Sequence, residues 1–328
     1  MAREGGLARE VWNEGLTRHD TGTRYILAGR MGANVDGAGH VNQMRRMPTL
    51  FEHWRRQTGR PLEDAFAAGI PETSDHKNSG PDKGAATFLS EHTPLPGRSI
   101  SADPSLGPCP HVSVTNQLLG RIVSSLDESG LPVAGPNRRR LMRVEVEKNF
   151  PAPLRSGELG QLAVDAMTDR LMNDRPYVLA TEADDWLLEL SRRAIGVLTP
   201  TVIGLGFSTP DLAHRGAWQT YAAQVRRVDV LLGELIRTTE EIPFYRGQTL
   251  YLVTTDCGRD SVRFDRHGAI GADDPSRETF LVAWGRGAAA GAVVSERRRQ
   301  VDVAPTAARA LDFEIPAVEG SPIEGVLA

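Results

Sequence analysis

The chain has 328 residues, with 38 Lys+Arg against 42 Asp+Glu for a formal net charge of −4, and 40% of its residues are hydrophobic. That length fits one large domain or two modest ones and can bury a core without covalent staples. Two cysteines, Cys109 and Cys257, exclude a disulfide scaffold, the apolar content excludes disorder, and the charge gives no general pull toward nucleic acid or anionic lipid. No apolar stretch approaches the ~18 uncharged residues of a membrane span, so the expectation is a soluble globular protein.

The opening Met-Ala-Arg-Glu-Gly-Gly-Leu-Ala-Arg-Glu contains no apolar segment of the kind a signal peptide needs. No strand-like apolar run precedes the first helical pattern. An open α/β domain usually begins with a buried strand, so the expectation is that the opening strand lies upstream of this sequence. Leu50, Phe51 and Trp54 stand at helical spacing behind Pro48, and Gly59-Arg60-Pro61 supplies the stop. Residues 65–70 read as a short buried strand. Residues 71–115 carry seven prolines and few large apolar side chains, and read as a surface loop or insertion. Residues 116–172 are helical in pattern. The run Arg138-Arg139-Arg140 within them reads as a solvated face rather than a nucleic-acid site. Residues 184–196 read as a helix whose first turn, with Asp184 and Asp185, suits the macrodipole.

From residue 200 the pattern changes. Residues 201–207 (Thr-Val-Ile-Gly-Leu-Gly-Phe) form a continuous apolar run of the kind buried on both faces of a parallel sheet. A helix follows, with Trp218, Tyr221, Ala222, Val225, Val228, Leu232, Leu235 and Ile236 on one stripe. Runs at 249–254 and 279–284 read as two more strands, and 301–311 as a closing helix. This order predicts an α/β fold with a mostly parallel central sheet flanked by helices, as a single domain over 1–328, with 71–197 as an inserted or cap-like segment. Gly204-Leu205-Gly206 is only a fragment of a dinucleotide fingerprint and lies within a strand, not after one.

In open α/β sheets ligands gather beyond the carboxyl ends of the strands. That rule selects Asp211 and His214 after the first run, Asp256 and Cys257 after the second, and His267 before the third. These are ligand types for a divalent ion, zinc above all. Taken singly, Asp211 also reads as a helix cap, Asp256 as a turn residue, Cys257 as a buried thiol and His267 as a loop histidine. Asp256 and Cys257 are adjacent, so both reach one ion only where the strand has already turned, which Gly258 permits.

At these residues the sequence resembles the alkaline phosphatase superfamily, which also holds sulfatases, nucleotide pyrophosphatases and cofactor-independent phosphoglycerate mutases. The likeness is clearest in Phe207-Ser208-Thr209-Pro210-Asp211-Leu212-Ala213-His214, in Val253-Thr254-Thr255-Asp256-Cys257-Gly258-Arg259, and in Ala283-Trp284-Gly285-Arg286-Gly287. The stretch Gln300-Val301-Asp302-Val303-Ala304-Pro305-Thr306 is similar to the start of the family's last helix. The resemblance implies two divalent ions, zinc foremost with manganese or magnesium as substitutes. Asp211, His214 and His267 match the ligands of one ion, and Asp256 and Cys257 match two ligands of the other, with Cys257 where the family usually has His. It also implies a nucleophile ahead of a helix that ends at Ala28-Gly29. Thr17 is the first candidate and Thr21 the second. The implied activity is hydrolysis of a small-molecule phosphate monoester or diester. Sulfatase activity is the weaker expectation, because no Cys-x-Pro-x-Arg-like run occurs. The alternative is a non-catalytic relative that binds one metal or none. The family places a metal-binding Asp at the end of an opening strand, and that strand is expected to be missing here.

Overall fold

A computed structural model describes residues 4–15, 17, 19–31, 48–69, 87–88, 112–113, 116–131, 134–149, 158–173, 183–211, 218–259 and 275–328. In chain order, strand β1 (Gly6–Trp12) leads to helices α1 (His19–Ala28) and α2 (Leu50–Thr58). Strands β2 (Ala65–Gly69), β3 (Thr87–Phe88) and β4 (Val112–Ser113) come next. Four helices then follow, α3 (Asn116–Glu128), α4 (Arg138–Asn149), α5 (Glu158–Met172) and α6 (Ala183–Leu198). The last third alternates: β5 (Val202–Gly206), α7 (Trp218–Glu241), β6 (Leu250–Thr254), β7 (Glu278–Gly285), β8 (Val293–Val294), β9 (Arg298–Arg299) and α8 (Val303–Ala310).

Local signals account for several boundaries. Helix α2 begins after Thr49, whose N–H donates to the Glu52 carboxylate at 2.6 Å, and it ends on Gly59 at φ 64°, the left-handed conformation that glycine adopts without strain. Strand β2 and helices α3 to α6 form where the sequence pattern predicts them. Ile70, and most of 71–115, lie outside the described residues.

The opening strand, expected to be missing, is present. Strand β1 pairs antiparallel with β7 and parallel with β8 and β9. It escapes the apolar-run criterion because a register shift falls between Ala8 and Val11. Those two side chains are fully buried, while Arg9 is exposed and Glu10 half-buried between them. Two charges in mid-strand hide the pattern.

The sheet is mixed, not mostly parallel. One sheet runs β6-β7-β1-β8 with β9 also on β1, and the other runs β4-β3-β2-β5. Strand β7 is antiparallel to both of its neighbours, β6 and β1, and β3 is antiparallel to β2 and β4; β2 and β5 are parallel. In β7, Thr279, Leu281 and Ala283 are buried and Phe280 is exposed. Alternation of this kind marks an antiparallel strand with one face on the core. Strand β5 is likewise half-buried throughout and exposed at Gly206. Among the described residues it pairs only with β2, at the end of its sheet.

Helices cover these sheets. Helices α3 to α6 pack Ile122, Met142, Val146, Met167 and Leu187 against Phe66 of β2 and the partly buried Ile203 of β5. Helix α8 and the 3-10 turn Glu324–Val326 close the other sheet with Val303 and Val326 on Ala8, Val11 and Leu281. Helix α7 departs from its predicted stripe. Its buried positions are Leu231, Leu235, Thr238 and Thr239, whereas Trp218 is 53% exposed and Val225 44%. Only its second half meets Leu188 and Ile195 of α6, which is where the core of that layer sits.

Candidate active site

The ends of β1 and β6 lie on either side of the beginning of β7. Trp12 of β1 is paired with Glu278, and Thr254 of β6 with Leu281. The single 3-10 turn Pro275–Arg277, which feeds β7, therefore stands between the two strand ends, and it binds both. Toward β1, the Arg277 guanidinium donates through Nη1 to the carbonyls of Asn13 at 2.9 Å and Gly15 at 2.7 Å, while the Asn13 N–H donates to the Arg277 carbonyl at 2.8 Å. Toward β6, the Gly258 N–H donates to the Ser276 carbonyl at 2.8 Å. A Cβ on Gly258 would stand 2.2 Å from the Glu278 carbonyl oxygen and 2.8 Å from that of Pro275, so only glycine fits there. Gly258 is required for this close approach rather than for a left-handed turn.

Thr17 lies in the same junction. It is fully buried, and its Oγ1 is 3.2 Å from the Oγ of Ser276, which is 1% exposed. Helix α1 begins two residues later, and Gly22 on its first turns meets the other side of the 255–258 turn. A Cβ there would be 1.9 Å from the Asp256 carbonyl oxygen. Gln300, also buried, donates through Nε2 to the carbonyls of Thr255 at 2.9 Å and Asp256 at 2.7 Å. The backbone of 255–258 is thus gripped by α1, by the 275–277 turn and by the entry to α8. Asp256 turns one carboxylate oxygen onto the next N–H, that of Cys257, at 2.9 Å, and Cys257 is a free, buried thiol.

Asp211 ends a short helical turn after β5, and its Oδ1 accepts from Arg259 Nη2 at 2.7 Å. Arg259 is three residues past Asp256, with its side chain only 10% exposed and its guanidinium carbon 5.8 Å from the Tyr221 ring centre. The Asp211 turn is itself anchored from α6. Asp184 accepts from the N–H groups of Ser208 at 2.8 Å and Thr209 at 2.9 Å, and from the Thr209 hydroxyl. Burial holds the Asp184 carboxyl above the usual carboxylate range in spite of these donors. Asp184, in the first turn of α6 as its sequence suggests, also supports a strand-end turn.

The sequence-predicted residues therefore stand as follows. Thr17, Asp256 and Cys257 are gathered by one junction, and Asp211 is tied to the same turn through Arg259. His214 and His267 lie outside the described residues. Thr21 is fully buried on α1. Among the described residues no group of three or more His, Cys, Asp or Glu side chains is set to hold a metal ion. The donor chemistry of the full set, two carboxylates, two imidazoles and a thiol, nevertheless suits zinc. An ion at Asp211 would compete with the Arg259 guanidinium. Just past the end of β1, the Asn13 Oδ1 accepts from the Gly15 N–H at 2.9 Å. Sequence reasoning missed Asn13, Asp184, Arg259, Ser276, Arg277 and Gln300. Arg259 and Gln300 stand inside the stretches that carry the resemblance, yet nothing in the sequence reports what any of the six holds, because each acts on backbone or side chains distant along the chain or, for Asn13, on its own turn.

This mixed α/β fold is similar to that of a phosphonate monoester hydrolase and of an alkaline phosphatase. A phosphonate monoester hydrolase of Agrobacterium radiobacter superposes with a TM-score of 0.52 at 15% identity, over 98% of this chain and 70% of that one. A mutant of the alkaline phosphatase PafA superposes with a TM-score of 0.50 at 10% identity, over 100% of this chain and 93% of that one. No family model matches the sequence, and no curated protein matches it.

Proposed function

We propose that the chain is a metal-dependent hydrolase of small-molecule phosphate esters, with Thr17 as nucleophile and Asp211, His214, Asp256, Cys257 and His267 as ligands of two divalent ions, zinc foremost. The observation that carries this reading is the junction at which the Thr17 loop, the Asp256–Cys257 turn and helix α1 touch. A nucleophile and its ligand turn must be held at fixed separation for in-line attack, since a misplacement of about 1 Å costs ~100-fold in rate. The contacts of Ser276 with Thr17 and Gly258 supply that rigidity. Divalent ions, when bound, acidify a hydroxyl and neutralise charge on ester oxygens.

The residues of this chain carry the rest. Asp256 and Cys257 present a carboxylate and a thiol from a turn hydrogen-bonded to Ser276 and Gln300. Thr17, linked to their turn through Ser276, holds its hydroxyl out of bulk water. Attack would form a bond from Thr17 Oγ to phosphorus as the bond to the leaving alcohol breaks, and water would then release the phosphate. The alternative, a non-catalytic relative that binds one metal or none, is not favoured by the folds this chain resembles. The test is hydrolysis of an aryl phosphate by the purified chain supplied with zinc or manganese. Turnover by the wild type and its loss in Thr17→Ala support the reading, and equal rates for the two rule out the assigned nucleophile.

A further inference from the structure

We infer that Ser276 is the positioning residue for Thr17, and that the turn Pro275–Arg277 is a staple coupling the orientation of that hydroxyl to the Asp256–Cys257 ligand turn. The inference rests on the proposed role of Thr17 and goes beyond it by assigning a residue that neither motif nor spacing reveals.

Ser276 contacts both halves of the site with different atoms. Its hydroxyl meets Thr17 Oγ1 at 3.2 Å, and its carbonyl accepts the Gly258 N–H at 2.8 Å. Threonine is stiff at χ1, so a hydrogen bond to Oγ1 decides which staggered position the oxygen takes. The neighbouring residue fixes the loop as a whole. Arg277 grips the carbonyls of Asn13 and Gly15, and Asn13 donates back to the Arg277 carbonyl. The division of labour is therefore definite: Arg277 holds the loop, and Ser276 holds the hydroxyl. The Gly258 turn and the Thr17 hydroxyl are thus linked through three atoms of Ser276's backbone and side chain, those between its carbonyl oxygen and its hydroxyl oxygen.

The experiment compares Ser276→Ala, Thr17→Ala, Thr17→Val and the double variant Thr17→Val/Ser276→Ala, read by aryl phosphate kinetics, zinc titration and thermal melting. Ser276→Ala is expected to lower kcat about tenfold, the effect of losing one orienting hydrogen bond. KM and zinc affinity should stay within about twofold, because neither the ligands nor the loop backbone has changed. In melting, the double variant is expected to lose little more than the worse single variant, since both changes remove one shared contact. Wild-type kcat in Ser276→Ala, or strictly additive losses in Tm, would overturn the assignment. Parallel losses of kcat, KM and zinc affinity would overturn it too, by showing a merely structural role. The two readings fail separately. Full activity in Thr17→Ala, or no hydrolysis by the wild type, overturns the proposed function and this inference with it. An inactive Thr17→Ala beside an unaffected Ser276→Ala overturns the inference alone.

Discussion

The four helices between residues 116 and 198 and the strand-end junction at 13–17, 255–259 and 275–277 are stabilised by different contacts. The helical layer is built from apolar side chains at helical spacing, such as Met167 and Leu187, both fully buried. Its outer face is laced by ion pairs, among them Arg143 with Asp165 at 2.8 Å and Arg193 with Asp169 at 2.6 Å, all at least a quarter exposed. The junction buries few large side chains. It is held by hydrogen bonds onto backbone and by two glycines, Gly22 and Gly258, that have no room for a Cβ. Its partners are 259 residues apart for Thr17 and Ser276, and 264 for Asn13 and Arg277. A layer packed by area tolerates local repacking, whereas a junction set by directional bonds does not.

Substitutions in the two regions should therefore separate stability from activity. The largest effect expected is in the junction: Thr17→Ala lowers aryl phosphate turnover by ~10³-fold or more, read in a zinc-supplemented assay. In the helical layer, Met167→Ala leaves a cavity and costs about 2–5 kcal/mol, read by denaturant unfolding, while zinc affinity of the folded variant stays unchanged. Gly22→Ala drives a methyl into the Asp256 carbonyl and costs about 1–3 kcal/mol; unlike Met167→Ala, it also weakens zinc binding, which titration would reveal. Equal zinc affinity in both variants would erase the distinction between the regions.

Two smaller effects sharpen the comparison. Burial raises the phenol of Tyr245, whose hydroxyl donates to the Pro200 carbonyl at 2.8 Å. A group raised in the folded state contributes stability below its unfolded pKa, about 10 for tyrosine, and loses it as pH rises. Unfolding free energy should accordingly fall above about pH 10, and Tyr245→Phe should flatten that decline. Smallest of all, Arg139→Ala breaks an exposed pair with Asp169 and is expected to cost under about 1 kcal/mol, less in high salt.

The same contrast explains what could be read in advance. Helix α2 and the helices of 116–198 were legible because periodic apolar residues and local stop signals such as Gly59 specify them. Strand β1 was not, because Arg9 and Glu10 sit at its register shift. The mixed sheet was missed because an apolar run does not state its direction. At the site, Asp256 and Cys257 stood out by type and by position after a strand, and Thr17 only through the family resemblance. Ser276, Arg277 and Gln300 did not, since an ordinary serine, arginine or glutamine gives no sign that its partner is a distant carbonyl or hydroxyl.

The central claim is that side chains from separate strand ends share divalent ions beside Thr17. Metal content per chain, measured after equilibration with zinc and removal of free ion, tests it most directly. The account predicts two zinc ions per wild-type chain and fewer in Asp256→Ala and His267→Ala, with both variants still folded by circular dichroism. A wild-type chain that retains no zinc, or variants that retain as much as the wild type, would contradict it.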